Sequence, residues 1–345
     1  MSRKRPLTAL DLFSGAGGLT TGLKKASFRV LGAVEIDSAA LNTLRQNHPE
    51  VRTWQCDIRQ LPVAQVRSAL KLKLRDLDLL AGCPPCQGFS TLRSLNGGRK
   101  VVEKQNELLF EMLRFARGLQ PKIVMLENVP GLAEDRRLRA FQAALEDAGY
   151  ECEWRIVDAS NYGVPQRRNR LIFLGSRVGK PVFPRIATTR VTVRQAIAHL
   201  APAGRSGDPL HDVPERRAPH VLELFRHIPR NGGSRSDAPD RFQLPCHRRV
   251  AGFYDIYGRM AWDRPAPTIT SGCHNPSKGR FIHPTRNRAI TLREAALLQT
   301  FPENYRFDLE RGKEHAALMI GNALPPELIR RVGLPLARLL RADPS

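Results

Sequence analysis

Leu7-Thr8-Ala9-Leu10-Asp11-Leu12-Phe13-Ser14-Gly15-Ala16-Gly17-Gly18 is an apolar run that stops at a glycine-rich turn, and residues 19–26 beyond it carry apolar side chains at helical spacing. Strand, glycine turn and helix together open a βαβ unit, in which backbone N–H groups and a helix N-terminus approach a ligand closely. Residues 30–35 predict the next strand and 38–47 the next helix. The alternation continues with strands over 77–81, 122–127, 152–157 and 171–175, and helices over 106–119 and 139–148. Such a pattern predicts an α/β fold with a doubly wound, mostly parallel sheet.

Beyond Ser176 the texture changes to a long stretch rich in Arg, Pro and Gly, with turn signals at Asn231-Gly232-Gly233 and Tyr257-Gly258. Helical spacing returns at 291–300 and 326–340. The reading is a catalytic domain over 1–177, completed by 285–345, and a second, smaller irregular domain over 178–284. No apolar run reaches membrane-spanning length, and the basic start Met1-Ser2-Arg3-Lys4-Arg5 leads into a strand rather than a secretory segment, so a cytoplasmic protein is expected. Fifty-five Lys and Arg against 33 Asp and Glu give a formal charge of +22, which points to a polyanionic partner, nucleic acid first, or else to a generally Arg-rich proteome. The six cysteines are scattered and predict no disulfide framework. Cys83-Pro84-Pro85-Cys86 has the spacing of half a zinc site or a redox pair, but no second pair completes a tetrahedral set, so no metal is expected.

Glu35 closes the second strand, twenty residues after Gly15, where a carboxylate can take both hydroxyls of a ribose. Thr20 stands where the dinucleotide fingerprint would place its third glycine, which favours a nucleoside ligand without pyrophosphate over a nicotinamide cofactor. Asp57 can accept from an adenine amino group or cap a helix. Gly82-Cys83-Pro84-Pro85-Cys86-Gln87-Gly88-Phe89-Ser90 follows a strand at the carboxyl edge of the sheet, where open α/β folds bind ligands. On that loop Cys86 is a candidate nucleophile, reacting as thiolate, or else a structural cysteine. Glu127, before Asn128 and Val129, is a candidate acid toward a ring nitrogen or a solvated strand end. In Gln166-Arg167-Arg168-Asn169-Arg170 the alternate residues Arg168 and Arg170 share a face if extended, and suit a carbonyl oxygen or a phosphate.

These blocks, in this order, resemble the C5-cytosine-specific DNA methyltransferase family of bacterial restriction-modification type. The motifs are DLFSGAGG at 11–18, GCPPCQGFS at 82–90, ENV at 127–129, QRRNR at 166–170, RPAPTIT at 264–270, TLREAALLQTFP at 291–302 and GNALPP at 321–326. They run from 10 to 328 apart from a variable stretch over 177–262. The resemblance implies a Rossmann-like S-adenosylmethionine-dependent methyltransferase fold with a target recognition domain, S-adenosylmethionine as cofactor and S-adenosylhomocysteine as product. It implies that Phe13, Ser14, Gly15, Ala16, Gly17 and Gly18 cradle the cofactor, with Glu35 on the ribose, Asp57 at the adenine and Asn322 closing the site from the tail, and that Ile58 and Pro85 also bind the cofactor. Position 36 is Ile where some relatives place an aromatic residue on the adenine.

By the same resemblance Cys86 attacks cytosine C6, Glu127 bonds N3 and the exocyclic amine, and Arg168 and Arg170 hold O2. Gln87, Ser90 and Gln166 would touch DNA. Arg230, Arg235, Arg241, Arg248 and Arg249 are candidate readers of guanine edges, or else phosphate contacts and loop charges. The implied partner is double-stranded DNA in the nucleoid, with a companion restriction endonuclease acting on the same sequence without stable contact, and no membrane. Two other readings stay open, the same chemistry on a folded RNA and a catalytically silent DNA-binding regulator. A nicotinamide dehydrogenase is a further fold-level alternative.

Overall fold

The computed structural model describes residues 5–85, 107–243 and 255–343. Its contacts divide the described chain into two compact units: a first containing the residues up to Asp158, Asn169–Ile186 and those from Leu324 onward, and a second containing Ala159–Arg168 and Ala187–Ala323.

The first unit is built on a sheet whose order is β3-β2-β1-β4-β5-β7-β6. The strands are β1 (Leu7–Leu12), β2 (Phe28–Glu35), β3 (Arg52–Gln55), β4 (Leu79–Gly82), β5 (Ile123–Asn128), β6 (Glu151–Asp158) and β7 (Asn169–Ser176). All six residues of β5 and all four of β4 are buried, the near-continuous burial that a parallel strand acquires when helices cover both faces. Around them lie α1 (Gly18–Lys25), α2 (Ser38–Asn47), α3 (Val63–Ala69), α4 (Leu108–Leu119), α5 (Arg136–Glu146) and, from the tail, α10 (Pro326–Ala342). Helix α4 turns Leu109, Met112, Leu113, Ala116 and Leu119 inward, the spacing that marked it in the sequence. Helix α10 packs on α1 so closely that a Cβ at Gly22 would lie 2.5 Å from Ile329 Cβ.

Two features of the sheet differ from the periodicity reading. Strand β3 has no buried residue and no alternation to betray it. Strand β7 runs antiparallel between β5 and β6, a direction that residue patterning does not encode. The strand order reverses its sense of winding between β1 and β4, so the crevice between their carboxyl ends is the topological switch point where such sheets hold ligands.

In the second unit α6 (Val193–Ile197), α7 (Pro219–His227), α8 (Leu292–Leu298) and α9 (Gly312–Asn322) are joined by long irregular segments. Arg259 organises part of it from the inside. It is fully buried and donates to the carbonyls of Phe225, His283 and Arg286 and to Asn287 Oδ1, and burial pushes its guanidinium down to about 10. Helix α8 starts at a capping box between Thr291 and Glu294. Its polar side chains serve this unit, Arg293 pairing with Asp208 and Glu294 with Arg288, and Gln299 at its C-cap hydrogen-bonds Gln166. Residues 285–323, grouped with the sheet in the sequence division, are therefore packed in the second unit. Helical spacing announces α8 but not the core it joins. Among the described residues no helix is long and apolar enough to cross a membrane.

Candidate active site

The turn after β1 departs from ordinary backbone at three of its residues. Phe13, Gly15 and Gly17 have φ of 60°, 51° and 86°, the left-handed region that costs a non-glycine residue of order 1 kcal/mol. Ser14 N–H donates to Val34 O at 3.0 Å, which ties the turn to β2. A Cβ at Gly18 would lie 2.4 Å from Leu324 O, so the first turn of α1 sits directly against the chain entering α10.

Glu35 ends β2 with its carboxylate folded back on this turn. Oε2 accepts from Gly15 N–H at 2.8 Å, and Oε1 accepts from the N–H groups of Ile36 and Asp37 at 2.9 Å. Burial pushes its carboxyl up, and the three N–H donors oppose that shift. Ile36, the next residue, is 64% exposed, an unusual position for a large apolar side chain beside a half-buried carboxylate. Asp57 caps the short turn Ile58–Gln60 and takes the Arg59 guanidinium, which holds its carboxyl below the ordinary value. The capping alternative is thus realised. Ile58 itself lies in the core.

Asp11, on β1, was not singled out from the sequence. It is fully buried, Oδ2 accepts from Thr20 Oγ1 at 2.6 Å, and Oδ1 has no hydrogen-bond partner among the described residues. Thr20, which broke the dinucleotide fingerprint, is therefore the donor to this carboxyl. Burial pushes Asp11 up to about 8. The place combines a backbone that a ligand can approach closely, the half-buried Glu35 carboxylate, the buried Asp11 carboxyl and an exposed apolar side chain.

The shift at Asp11 has a direct consequence for stability. The folded chain keeps a proton that the unfolded chain has released anywhere between pH about 4 and about 8. The contribution of protonated Asp11 is complete below the lower value and is lost as pH rises toward the upper one. Asp11→Asn is expected to flatten the fall in thermal midpoint of the ligand-free protein across that window. Parallel falls in parent and variant would assign the pH dependence to other groups.

At the neighbouring strand ends, Cys83 N–H donates to Leu12 O at 3.2 Å and Asn128 Nδ2 donates to Pro84 O at 3.1 Å, fixing the start of the loop that continues into Cys86. Pro85 is exposed. Cys86, Gln87 and Ser90 lie outside the described residues. Glu127 is 2% exposed on β5, where Arg170 Nε meets Oε1 at 2.7 Å and the Cys83 thiol donates to Oε2 at 2.6 Å.

The remaining candidates among the described residues belong to the second unit. Arg168 and Arg170 do not share one environment, because Arg170 belongs to β7 and Arg168 to the second unit. There Arg168 is buried and donates to the carbonyls of Ile269, Gly321 and Ala323. Gln166, fully buried, donates to Leu298 O and Gln299 Oε1 and accepts from Ile269 N–H. Arg168 thus holds backbone carbonyls, and Gln166 both backbone groups and the Gln299 side chain. Asn322 is the last residue of α9, exposed, in the second unit. Arg235 is 4% exposed with its guanidinium 5.9 Å from the Tyr257 ring, so it is enclosed rather than presented to a base edge. Arg230 is exposed. Arg241 is also exposed and pairs with Glu223 at 3.2 Å. Arg248 and Arg249 lie outside the described residues.

The family model for C-5 cytosine-specific DNA methylases matches residues 7–337. The chain belongs to this family. As a member it is a DNA cytosine-5-methyltransferase and acts on DNA. The methylase is 34% identical to the Type II methylase M.HgiDII of Herpetosiphon aurantiacus over 96% of this chain and 95% of that one. It is 33% identical to the Type II methyltransferase M1.HphI of Haemophilus parahaemolyticus over 94% and 85%. Among solved structures, a candidate DNA modification methyltransferase encoded within an E. coli prophage superposes with a TM-score of 0.70 at 27% identity, covering 97% of this chain and 99% of that one. The fold is shared with the DNMT2 of Spodoptera frugiperda at a TM-score of 0.63 and 16% identity, over 96% of this chain and 99% of that one.

Proposed function

We propose that the methylase transfers a methyl group from S-adenosylmethionine to carbon 5 of cytosine within a specific duplex DNA sequence, through a transient bond between Cys86 and cytosine C6. The observation that carries this reading is Glu127, a buried carboxylate held by Arg170 at the strand end beside the loop that leads into Cys86. S-adenosylmethionine, when bound, supplies an electrophilic methyl on a sulfonium.

The residues of the chain supply the rest. The Gly15 to Gly18 turn would hold the cofactor by its backbone, Glu35 would take the ribose hydroxyls with lone pairs its three N–H donors leave, Asp11 would offer its unused carboxyl oxygen, and Ile36 would lie against the adenine. Asp57 serves the adenine amino group if Arg59 yields an oxygen. Cytosine C5 is a weak nucleophile. A Cys86 thiolate adding at C6, while the proton released by that thiol passes through the Glu127 carboxylate to N3, turns the ring into an enamine with electron density at C5. Arg170 keeps Glu127 in place, near the carbonyl edge of the base. Loss of the C5 proton after methylation restores the ring and expels the thiolate.

C5 and C6 are out of reach inside a stacked duplex, so the base rotates out, at a cost of a few kcal/mol. The +22 charge favours the phosphate contacts that offset this cost. The sheet-based unit performs the chemistry and the second unit reads sequence, with exposed Arg230 and Arg241 the first residues to vary. A nucleoid location and a companion endonuclease follow from the same reading. Incubation with cofactor carrying a labelled methyl is expected to label cytosine in plasmid DNA and leave tRNA unlabelled. Bisulfite sequencing of a host genome expressing the protein then gives the target. Label in tRNA alone would replace DNA by RNA, and label in neither would leave a binding protein.

A further inference from the structure

Cys83 is the residue at this site whose chemistry the reaction above does not use. Strands β4 and β5 are paired in parallel with Gly82 opposite Leu126, so the next residues along, Cys83 and Glu127, stand side by side at the carboxyl ends. The Cys83 thiol donates to Glu127 Oε2 at 2.6 Å while Arg170 Nε contacts Oε1 at 2.7 Å. The Cys83 backbone is itself anchored on Leu12 O, and the following Pro84 carbonyl on Asn128.

We propose that Cys83 is a positioning residue for the reaction, its thiol setting the angle of the Glu127 carboxylate. The proposal rests on the role given to Glu127 above and adds to it. A carboxylate gripped through one oxygen still turns about its terminal torsion, which is broad and has two-fold symmetry. A second donor on the other oxygen stops that turning. A thiol is a weak donor and a carboxylate oxygen has a second lone pair, so Oε2 is oriented without being saturated and stays able to accept from the exocyclic amine of an incoming base, or from N3 once N3 carries the proton. A lysine here would neutralise the group, and an alanine would leave its angle unset.

The test compares Cys83→Ala and Cys83→Ser with the parent full-length protein in single-turnover methylation of a duplex carrying the target. Duplex affinity is measured alongside. Alanine is expected to slow the chemical step about tenfold, the loss of one modest hydrogen bond to a charged group, with duplex affinity unchanged within about twofold. Serine, which restores a donor, is expected to stay within about threefold of the parent. In a Glu127→Gln background the alanine change should add little further loss, because the carboxylate it orients is gone.

Equal losses in alanine and serine would overturn the proposal, as would a parental rate in alanine, or additive losses in the Glu127→Gln background. If alanine does not fold, a folded serine variant slowed tenfold or more overturns it, and one near the parental rate supports it. Covalent capture of the parent on a 5-fluorocytosine duplex separates this failure from a larger one. Without capture the Cys86 reaction itself is wrong, whereas capture with insensitive Cys83 variants removes only the role of Cys83.

Discussion

Replacing Cys86 with alanine is expected to abolish methyl transfer, by about four orders of magnitude or more, while duplex binding stays within a few-fold of the parent. The size of the loss follows from the substrate. Cytosine offers no carbanion at C5 until a nucleophile has added at C6, so removing the sulfur removes the route rather than one stabilising contact. Binding is spared because affinity for DNA comes largely from cationic contacts to phosphate, which one neutral side chain does not alter. Label incorporation, a gel-shift titration and trapping on a 5-fluorocytosine duplex together check it. Turnover by the alanine variant at the parental rate would end the covalent mechanism. A variant that loses binding in step with activity would place Cys86 among the DNA contacts instead.

The parts of this site that the sequence made legible are those fixed by local backbone. A glycine turn after a buried strand needs left-handed residues, and Gly15 and Gly17 adopt them. Glu35 at the end of β2 returns to that turn because parallel β1 and β2 are neighbours, an adjacency the βαβ pattern implies. Residues whose use depends on distant partners were harder. Gln166 and Arg168 belong to a motif that reads equally well as a substrate clamp, and only the placement of Ile269, Leu298 and Gly321 shows what they hold. Arg235 was one arginine among many on a charged stretch, and its enclosure depends on Tyr257.

Other residues were illegible for a different reason. Asp11 was hidden within an apolar run, where one aspartate looks like an interruption, and the departure at Thr20 was its only trace. Pairing those two, nine residues apart across a strand-to-helix turn, was the signal available. Cys83 stood out in the sequence only for its spacing to Cys86, and nothing local to it announces that its thiol donates to Glu127, on another strand. Strand β7 could not be oriented from its residues, yet its antiparallel course sets Leu171 and Ile172 against Asn128 and Glu127 and brings Arg170 to that strand end. The chemistry-bearing types were visible one at a time, and the register of three strands decides which of them meet.

That register makes the largest stability prediction at the site. Arg170→Ala is expected to lower the folding stability of the protein by about 3 kcal/mol and to reduce methylation at least as strongly as the change at Cys83, because Glu127 is left as a buried charge without its counter-ion. The Arg170 side chain is 14% exposed against 2% for Glu127, so water reaches the arginine side of the pair more readily than the carboxylate and does not fully replace the lost contact. Arg170→Lys keeps the charge but not the planar donor geometry, and should recover more stability than activity. The double change Arg170→Met with Glu127→Gln removes both charges and is expected to regain most of the stability while remaining inactive. Denaturation curves and single-turnover rates on the four proteins check the separation. If stability and activity rise and fall together across them, the pair is only a structural bridge and Glu127 loses its place in the reaction.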